Sequence, residues 1–310
     1  MVKYIAVALS LKGFSCGSPM RRLYRKIGNR TGGKRRATGR MPDYYAKRVR
    51  RMLRITKQYG IIRNGDRIIE LGTGWLHWEA LTLRLFFDIE AVLFDVWDNR
   101  QLASLKNYLG QLNLLLKERD GDGFGLTPSE LSRAQSLITA ILKVESFTEL
   151  YKLLGFEYVV ESSGRLSQFS DNSFQLVVSA GVLEHVTREA VPALIKETRR
   201  ILKPGGWSSH CIDMSDHLAH YDTTVSKMMY LSFSELAWKC LFENKVQYIN
   251  RIRRSDWLEL FRSGSLELVE EMSSQIDISR LKLANQYKNT DRCDLECTDI
   301  ELVLKKPASA

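Results

Sequence analysis

The chain has no long apolar run. Nowhere in its 310 residues do about 20 consecutive apolar positions occur, the length a membrane-spanning helix needs, so no such helix is expected. The short run Tyr4–Leu11 gives way to Lys12 and carries no small-residue cleavage site, which argues for a first strand or a docking segment over a removable leader. Cys16 follows Gly13-Phe14-Ser15, without the aliphatic residue that a lipid-attachment site would have. Cysteine is sparse: five residues, odd in number and scattered, as suits reduced thiols in a cytoplasm. Cys293 and Cys297 have no second Cys/His pair beside them, so no structural zinc is expected. Histidine is as scarce, with five residues, and three of them fall between His210 and His220.

Acidic residues are nearly absent from one segment. Met20–Lys57 holds fifteen Lys or Arg and only Asp43 as an acid, a local charge of +14 in a chain of +10. The remainder is therefore mildly acidic, and the basic character belongs to this segment alone. Such a block attracts anions: nucleic acid, an anionic membrane face or a phosphorylated substrate. A solvated tail is the bland reading. Glycines at 17, 28, 32, 33 and 39 and Pro42 make residues 17–42 read as loop or linker. From Asp43, Tyr45, Val49, Met52 and Leu53 line one helical face, and Lys47, Arg48, Arg50, Arg51 and Arg54 take most of the other. Two readings stay open for this helix: a membrane surface, or the protein's own body.

A third glycine is missing from Ile68-Ile69-Glu70-Leu71-Gly72-Thr73-Gly74-Trp75. The first glycine permits a tight turn out of a strand, and the second lets backbone approach a ligand. Trp75, Leu76 and His77 occupy the place where a dinucleotide fingerprint would close, which argues against a pyrophosphate cofactor. Beyond this turn, apolar runs alternate with helical patterns. Strands are expected at Arg67–Leu71, Ala91–Phe94, Glu157–Val160, Phe174–Ser179, Trp207–Asp213 and Ile300–Leu304. Helices are expected at Trp78–Phe87, Arg100–Glu118, Ser129–Lys143, Phe147–Leu154, Val191–Leu202 and Asp256–Phe261, with a flexible turn at Gly121–Gly125. The alternation implies an α/β fold with a parallel sheet covered by helices on both faces.

Four features fall in order on this pattern: the Glu70–Gly74 turn, Asp95 closing the next strand, Gly181-Val182-Leu183-Glu184-His185-Val186 after Phe174–Ser179, and Arg200-Ile201-Leu202-Lys203-Pro204-Gly205-Gly206. Together, over roughly residues 60–215, they resemble class I S-adenosylmethionine-dependent methyltransferases of the small-molecule branch. The whole layout, including the basic N-terminal arm and Ile212–Asp222, is more loosely similar to methyltransferases of surface-polysaccharide pathways. The resemblance implies a Rossmann-like, mostly parallel seven-stranded sheet with a basic N-terminal extension (1–59) and a methyltransferase domain (60–310). Within that domain it implies a helical insertion at 119–155 and an acceptor-side insertion at 215–262. It also implies S-adenosyl-L-methionine as cofactor. Glu70, Gly72, Thr73 and Gly74 would line its methionine and ribose side, Asp95 would hold the ribose, Val96 would flank the adenine, and Leu183 and Glu184 would face the methyl donor. The sequence departs from the pattern at Ser163-Gly164, where an acid often contacts adenine, and at Gln175, where the usual residue is aspartate.

Methyl transfer to a hydroxyl needs alignment and the loss of a proton, for which histidine is the usual base. His217 is the leading candidate, with Asp216, His210 and His220 as alternates or orienting partners and His185 as a further candidate. The bland reading is a hydrogen-bonded loop. A divalent metal held by Asp213, Asp216, His217 and Asp222 is conceivable, but the spacing matches no specific metal motif and no metal is assigned. Met228–Asn250 is aromatic and apolar, suited to an acceptor lid or to core, and Arg251 and Arg253 could clamp a phosphate or carboxylate.

The leading function is O-methylation of a saccharide or other hydroxylated small molecule, lipid-linked in one version, by a cytoplasmic protein, with peripheral docking on the inner membrane face through residues 20–57 as one version of its location. An RNA- or ribosome-directed enzyme using the basic arm is the alternative; no N-P-P-[YF]-like tetrad is present, so nucleic acid ranks below a small acceptor. A non-catalytic protein retaining the fold is the third reading.

Overall fold

The computed structural model describes residues 1–118 and 122–308. Residues 119–121, at the start of the expected insertion and turn, lie outside the described residues. Seven strands, β1 (Arg67–Leu71), β2 (Glu90–Asp95), β3 (Phe156–Val160), β4 (Phe174–Ala180), β5 (Leu202–Asp213), β6 (Glu267–Gln275) and β7 (Cys297–Lys305), form one sheet in the order β3-β2-β1-β4-β5-β7-β6. β1 pairs in parallel with β2 and with β4, and β2 with β3; Ile69 sits opposite Val92 on one side and Val177 on the other. This is the Rossmann-like sheet expected, with one strand, β6, that the sequence reading missed. The chain divides into two compact units.

One unit comprises Asn29–Ser179, Glu197–Ser209 and the chain from Lys305. Ile68 to Leu71 are all buried, as in a strand covered on both faces. Helix α3 (Asp43–Tyr59) buries Tyr45, Val49, Met52 and Leu53, the face its spacing predicts. That face is covered within the unit by helix α4 (Trp78–Phe86): Trp78 Nε1 donates to the Tyr45 carbonyl at 3.1 Å. Two cations expected in water are not there, for Arg48 pairs with Glu79 and Arg51 is buried with Nη1 on Ser209 Oγ. Helix α5 (Leu102–Glu118) follows β2. Helix α6 (Pro128–Lys143) starts at a capping box of Thr127 and Glu130, and α7 (Phe147–Leu154) at Ser146, whose side chain accepts from Glu149 N.

The other unit comprises Met1–Gly28, Ala180–Lys196 and His210–Leu304. Tyr4–Leu11 is not a strand. It lies in helix α1 (Val2–Ser15), burying Tyr4, Ala8 and Leu11 at i, i+4 and i+7; a run apolar on every side conceals that period. These residues join Leu218, Met228, Tyr230, Leu231, Trp238 and Phe242 in one core, so the apolar stretch from Met228 packs the interior. Helix α9 (Glu235–Leu241) lies within it, and α10 (Arg254–Ser263) and α11 (Arg292–Glu296) complete the unit.

Several elements pass from one unit to the other, and at two of them the structure differs from the sequence pattern. Residues 17–42 are not a linker: helix α2 (Ser18–Thr38) runs through them with no buried residue. Helix α8 (Val191–Ile201) leads directly into β5, so Lys203-Pro204-Gly205-Gly206 lies inside the strand and not before it. Glycine is required there. Gly205 has φ +74°, and a Cβ on Gly206 would stand 2.8 Å from the Lys203 carbonyl oxygen and 3.2 Å from that of Gln175.

Candidate functional site

In the first unit, β1 ends at Leu71 and the chain turns through Gly72 (φ +63°) and Gly74 (φ +59°). Asp95, at the end of β2, ties this turn down. Its Oδ2 accepts from Gly74 N at 2.8 Å, and its Oδ1 accepts from Val96 N at 2.7 Å and Trp97 N at 3.3 Å. Burial raises the Asp95 pKa, while these three backbone donors pull it back. A carboxylate has about four acceptor positions, so one stays open for a further hydroxyl donor. Val96 meets Gly164, where a Cβ would lie 3.5 Å from Val96 Cγ1.

Glu70 does not face this turn. Its Oε2 accepts from Ala80 N at 2.8 Å in the first turn of α4, where the helix end favours an acceptor. Burial first, and then Glu79, raise its pKa well above the usual range. Thr73 Oγ1 lies 2.7 Å from His77 Nδ1, and His77 Nε2 lies 2.9 Å from the Tyr151 hydroxyl. Burial, with Arg100 nearby, pushes the His77 imidazole down to about 3, so it is neutral.

The sequence reading missed His77, and it missed the part of α2 that belongs to this unit. Asn29 Oδ1 accepts from Trp75 Nε1 at 3.2 Å, and the Arg36 guanidinium lies 3.7 Å from the Trp75 ring centre. Between them, Gly33 lets α2 approach Gln101, whose amide a Cβ would meet at 3.2 Å. Asn29, Gly33 and Arg36 recur at i, i+4 and i+7, the one sequence signal that these residues share a helix face. The residues of this unit fit an adenosyl cofactor. Two left-handed glycines present bare backbone, Asp95 keeps an acceptor position for a ribose hydroxyl, and Val96 with Gly164 gives an apolar edge.

In the second unit, Leu183–His185 forms one 3-10 turn after β4. Asn250 holds it: its N donates to the Glu184 carbonyl at 2.8 Å, and its Nδ2 donates to the carbonyls of Leu183 at 2.8 Å and Val186 at 3.0 Å. Nothing in the sequence around Asn250 announces this. Leu183 and Glu184 are buried; burial pushes the Glu184 carboxyl up to about 8, and its Oε2 has no hydrogen-bond partner. His185 is exposed, with Nδ1 2.7 Å from the Tyr248 carbonyl oxygen.

His217 packs edge-on against His185, centroids 5.1 Å apart, and stacks on His220 at 5.2 Å. Its Nε2 lies 3.5 Å from Asp213 Oδ2, an ion-pair distance, yet has no aligned hydrogen-bond partner. Burial works against the Asp213 carboxylate, but His217 and Ser215 outweigh it and hold the group below the ordinary range.

The other proposed catalytic residues go elsewhere. Asp216 is buried, accepting from the Tyr4 hydroxyl at 2.6 Å and from Leu218 N at 3.0 Å, and so anchors α1. His210 is buried and stacked on Phe261 at 5.4 Å. Asp222 accepts from Tyr4 N at 3.1 Å. The anion clamp is not formed either. Arg253 is buried with its guanidinium on the carbonyls of Asp294 and Cys297, and Arg251 pairs with Glu235 at 2.7 Å.

A family model described as a methyltransferase domain matches residues 121–209. The match takes in β3, β4, α8 and most of β5, and leaves out the Glu70–Trp75 turn and Asp95. No curated protein matches the chain's sequence. Among solved structures, the chain is similar to Haemonchus contortus phosphoethanolamine N-methyltransferase 2 in complex with S-adenosyl-L-methionine, at 16% identity and TM-score 0.44 over 82% of this chain. It spans about half of that enzyme's length, 52%. It is also similar to a SAM-dependent methyltransferase from Methanosarcina mazei, at 14% identity and TM-score 0.44 over 81% of this chain and 97% of the other. The [4+2]-cyclase SpnF aligns at 13% identity and TM-score 0.45, over 84% and 82% of the two chains. The chain thus has a seven-stranded Rossmann-like sheet, and its residues 121–209 match a methyltransferase-domain model.

Proposed function

We propose that the chain methylates a hydroxyl group of a saccharide or a related hydroxylated small molecule, free or carried on a lipid. The observation that carries this reading is His217, whose Nε2 stands open beside the Asp213 carboxylate. A hydroxyl is a poor nucleophile until it loses its proton, whereas an amine acceptor needs only its lone pair. The cofactor supplies an already activated methyl group. The chain's residues align the acceptor oxygen and handle its proton. Asp95 holds the ribose hydroxyls, Gly72, Thr73 and Gly74 form the backbone cradle, and Val96 flanks the adenine. Leu183 and Glu184 shape the acceptor end, and loss of the hydroxyl proton depends on His217. Glu70 supports the cradle from behind by fixing α4.

The test is transfer of labelled methyl to a cell extract separated into glycan, lipid, RNA and protein fractions. Label is expected in the glycan or lipid fraction; label in RNA alone would replace this reading with a nucleic-acid one. Two variants divide the roles. Asp95→Ala is expected to weaken cofactor binding at least about tenfold by calorimetry, as loss of a charged hydrogen-bond partner does. His217→Ala is expected to abolish turnover with cofactor affinity unchanged; full activity would remove His217 from the reaction.

A further inference from the structure

Glu184 and His185 are neighbours in the chain, and folding brings His217 to them from more than thirty positions away. One ligand atom of each lies within 4.8 Å of the other two, the one such group of three among the described residues. Each is prepared to donate. Glu184 Oε2 is buried, with the residue only 3% exposed, and has no hydrogen-bond partner, an expensive condition unless something positive meets it. His185 gives Nδ1 to the Tyr248 carbonyl at 2.7 Å, so in the neutral ring Nδ1 carries the proton and Nε2 keeps a lone pair. A backbone carbonyl on the far nitrogen is the usual second partner of a metal-bound histidine. His217 Nε2 has no hydrogen-bond partner, and the Asp213 carboxylate stands 3.5 Å from it.

We propose that Glu184, His185 and His217 bind a divalent first-row transition cation, with Asp213 beside it as a fourth or outer ligand. Two imidazoles and one carboxylate suit zinc, cobalt, iron or manganese better than calcium or magnesium, which take oxygen ligands. Donors about 2.1 Å from one ion lie at most about 4.2 Å apart, so binding draws the three atoms somewhat closer by small rotations of the two histidines. Three protein donors leave a coordination position for an oxygen ligand. The proposal deepens the preceding reading of this cluster as the place where the acceptor hydroxyl is met: that oxygen is the ligand the open position would take. His217 then acts as a ligand and not as the proton acceptor.

The full-length protein, stripped with a chelator and dialysed, is titrated with cobalt(II) and then with zinc(II) in competition. One equivalent of cobalt is expected, with visible absorption that zinc abolishes. Glu184→Gln, His185→Ala and His217→Ala are each expected to weaken binding at least about tenfold, with thermal melts showing that the fold is kept. Should the buried Glu184 variant fail to fold, His185→Ala, at an exposed position, still decides. Absence of saturable binding, or equal affinity in the two histidine variants and the parent, overturns the site. Methyl transfer is followed in the same preparations. Transfer to a hydroxyl without metal binding removes the site and leaves the methylation reading standing. Metal binding without transfer to any hydroxyl keeps the site and removes that reading.

Discussion

His77 shows how a single buried residue can tie the β1 turn to a distant helix. It is fully buried, sits at φ +52°, and bridges Thr73 in the β1 turn to Tyr151 in α7. Its folded pKa, near 3, lies below the ordinary value of about 6.5. The unfolded chain therefore binds more protons than the folded one between those limits, and stability must fall as pH drops from about 6.5 toward 3. The group's share of that loss has a slope of at most about 1.4 kcal/mol per pH unit. His77→Asn accepts the left-handed backbone and cannot titrate. Urea melts from pH 7 to pH 4 are expected to show a flatter dependence for this variant than for the parent; parallel curves would mean that His77 is charged in the fold. Asp95 is the opposite kind of residue. Its place at the end of β2 was legible because an acid closing an apolar run after a glycine turn is rare without a reason. Its backbone ties to Gly74, Val96 and Trp97 were not, since they depend on how the β1 turn and the β2 end meet.

At the scale of elements, what was legible was what local pattern determines. β1 was found to the residue and β2, β4, α4 and α7 to within one, because apolar runs and caps mark them. α1 and α2 were misread for two different reasons. In α1 every face is apolar enough to hide the period, and in α2 glycines that suggest a linker serve close approach, as Gly33 does against Gln101. The sequence pattern puts the Pro204-Gly205-Gly206 turn before β5, whereas it lies inside the strand. That placement makes a paired prediction. Gly206→Ala brings a methyl group against backbone oxygens and is expected to cost about 1–3 kcal/mol. Gly110 lies in the interior of α5 with nothing within 4 Å of an added Cβ, so Gly110→Ala is expected to stabilise by about 0.5–1 kcal/mol. Denaturant midpoints measure both. A stabilised Gly206→Ala would mean that the strand start yields to the methyl group and is not fixed by it.

At the scale of the whole molecule, the basic segment has no single role. Arg48 and Arg51 on α3 are used in packing, and the apolar face of α3 is covered, which removes this helix as a membrane anchor. Two stripes of exposed apolar residues lie earlier in the chain. Val2, Ile5 and Leu9 recur at i, i+3 and i+7 on α1, and Met20, Leu23 and Ile27 do the same on α2, all exposed. Lys3, Arg21, Arg22 and Lys26 stand among them in sequence, with no acid before Asp43. Apolar stripes flanked by cations and lacking acids suit the headgroup region of an anionic bilayer. Among the described residues no helix is long and apolar enough to cross one. A lipid-carried acceptor would be reached from such a surface. The protein is therefore expected to co-sediment with vesicles containing about one-third anionic lipid and not with neutral ones, with binding weakened by salt. The double variant Leu23→Ser, Ile27→Ser leaves every cation in place. It is expected to lose most of that binding, since apolar burial and charge attraction act together at an interface. A nucleic-acid surface would respond differently: RNA binding would depend on the cations and would survive the serine pair. Retained vesicle binding in that variant would reduce the contact to charge alone and would remove the apolar stripe of α2 from it.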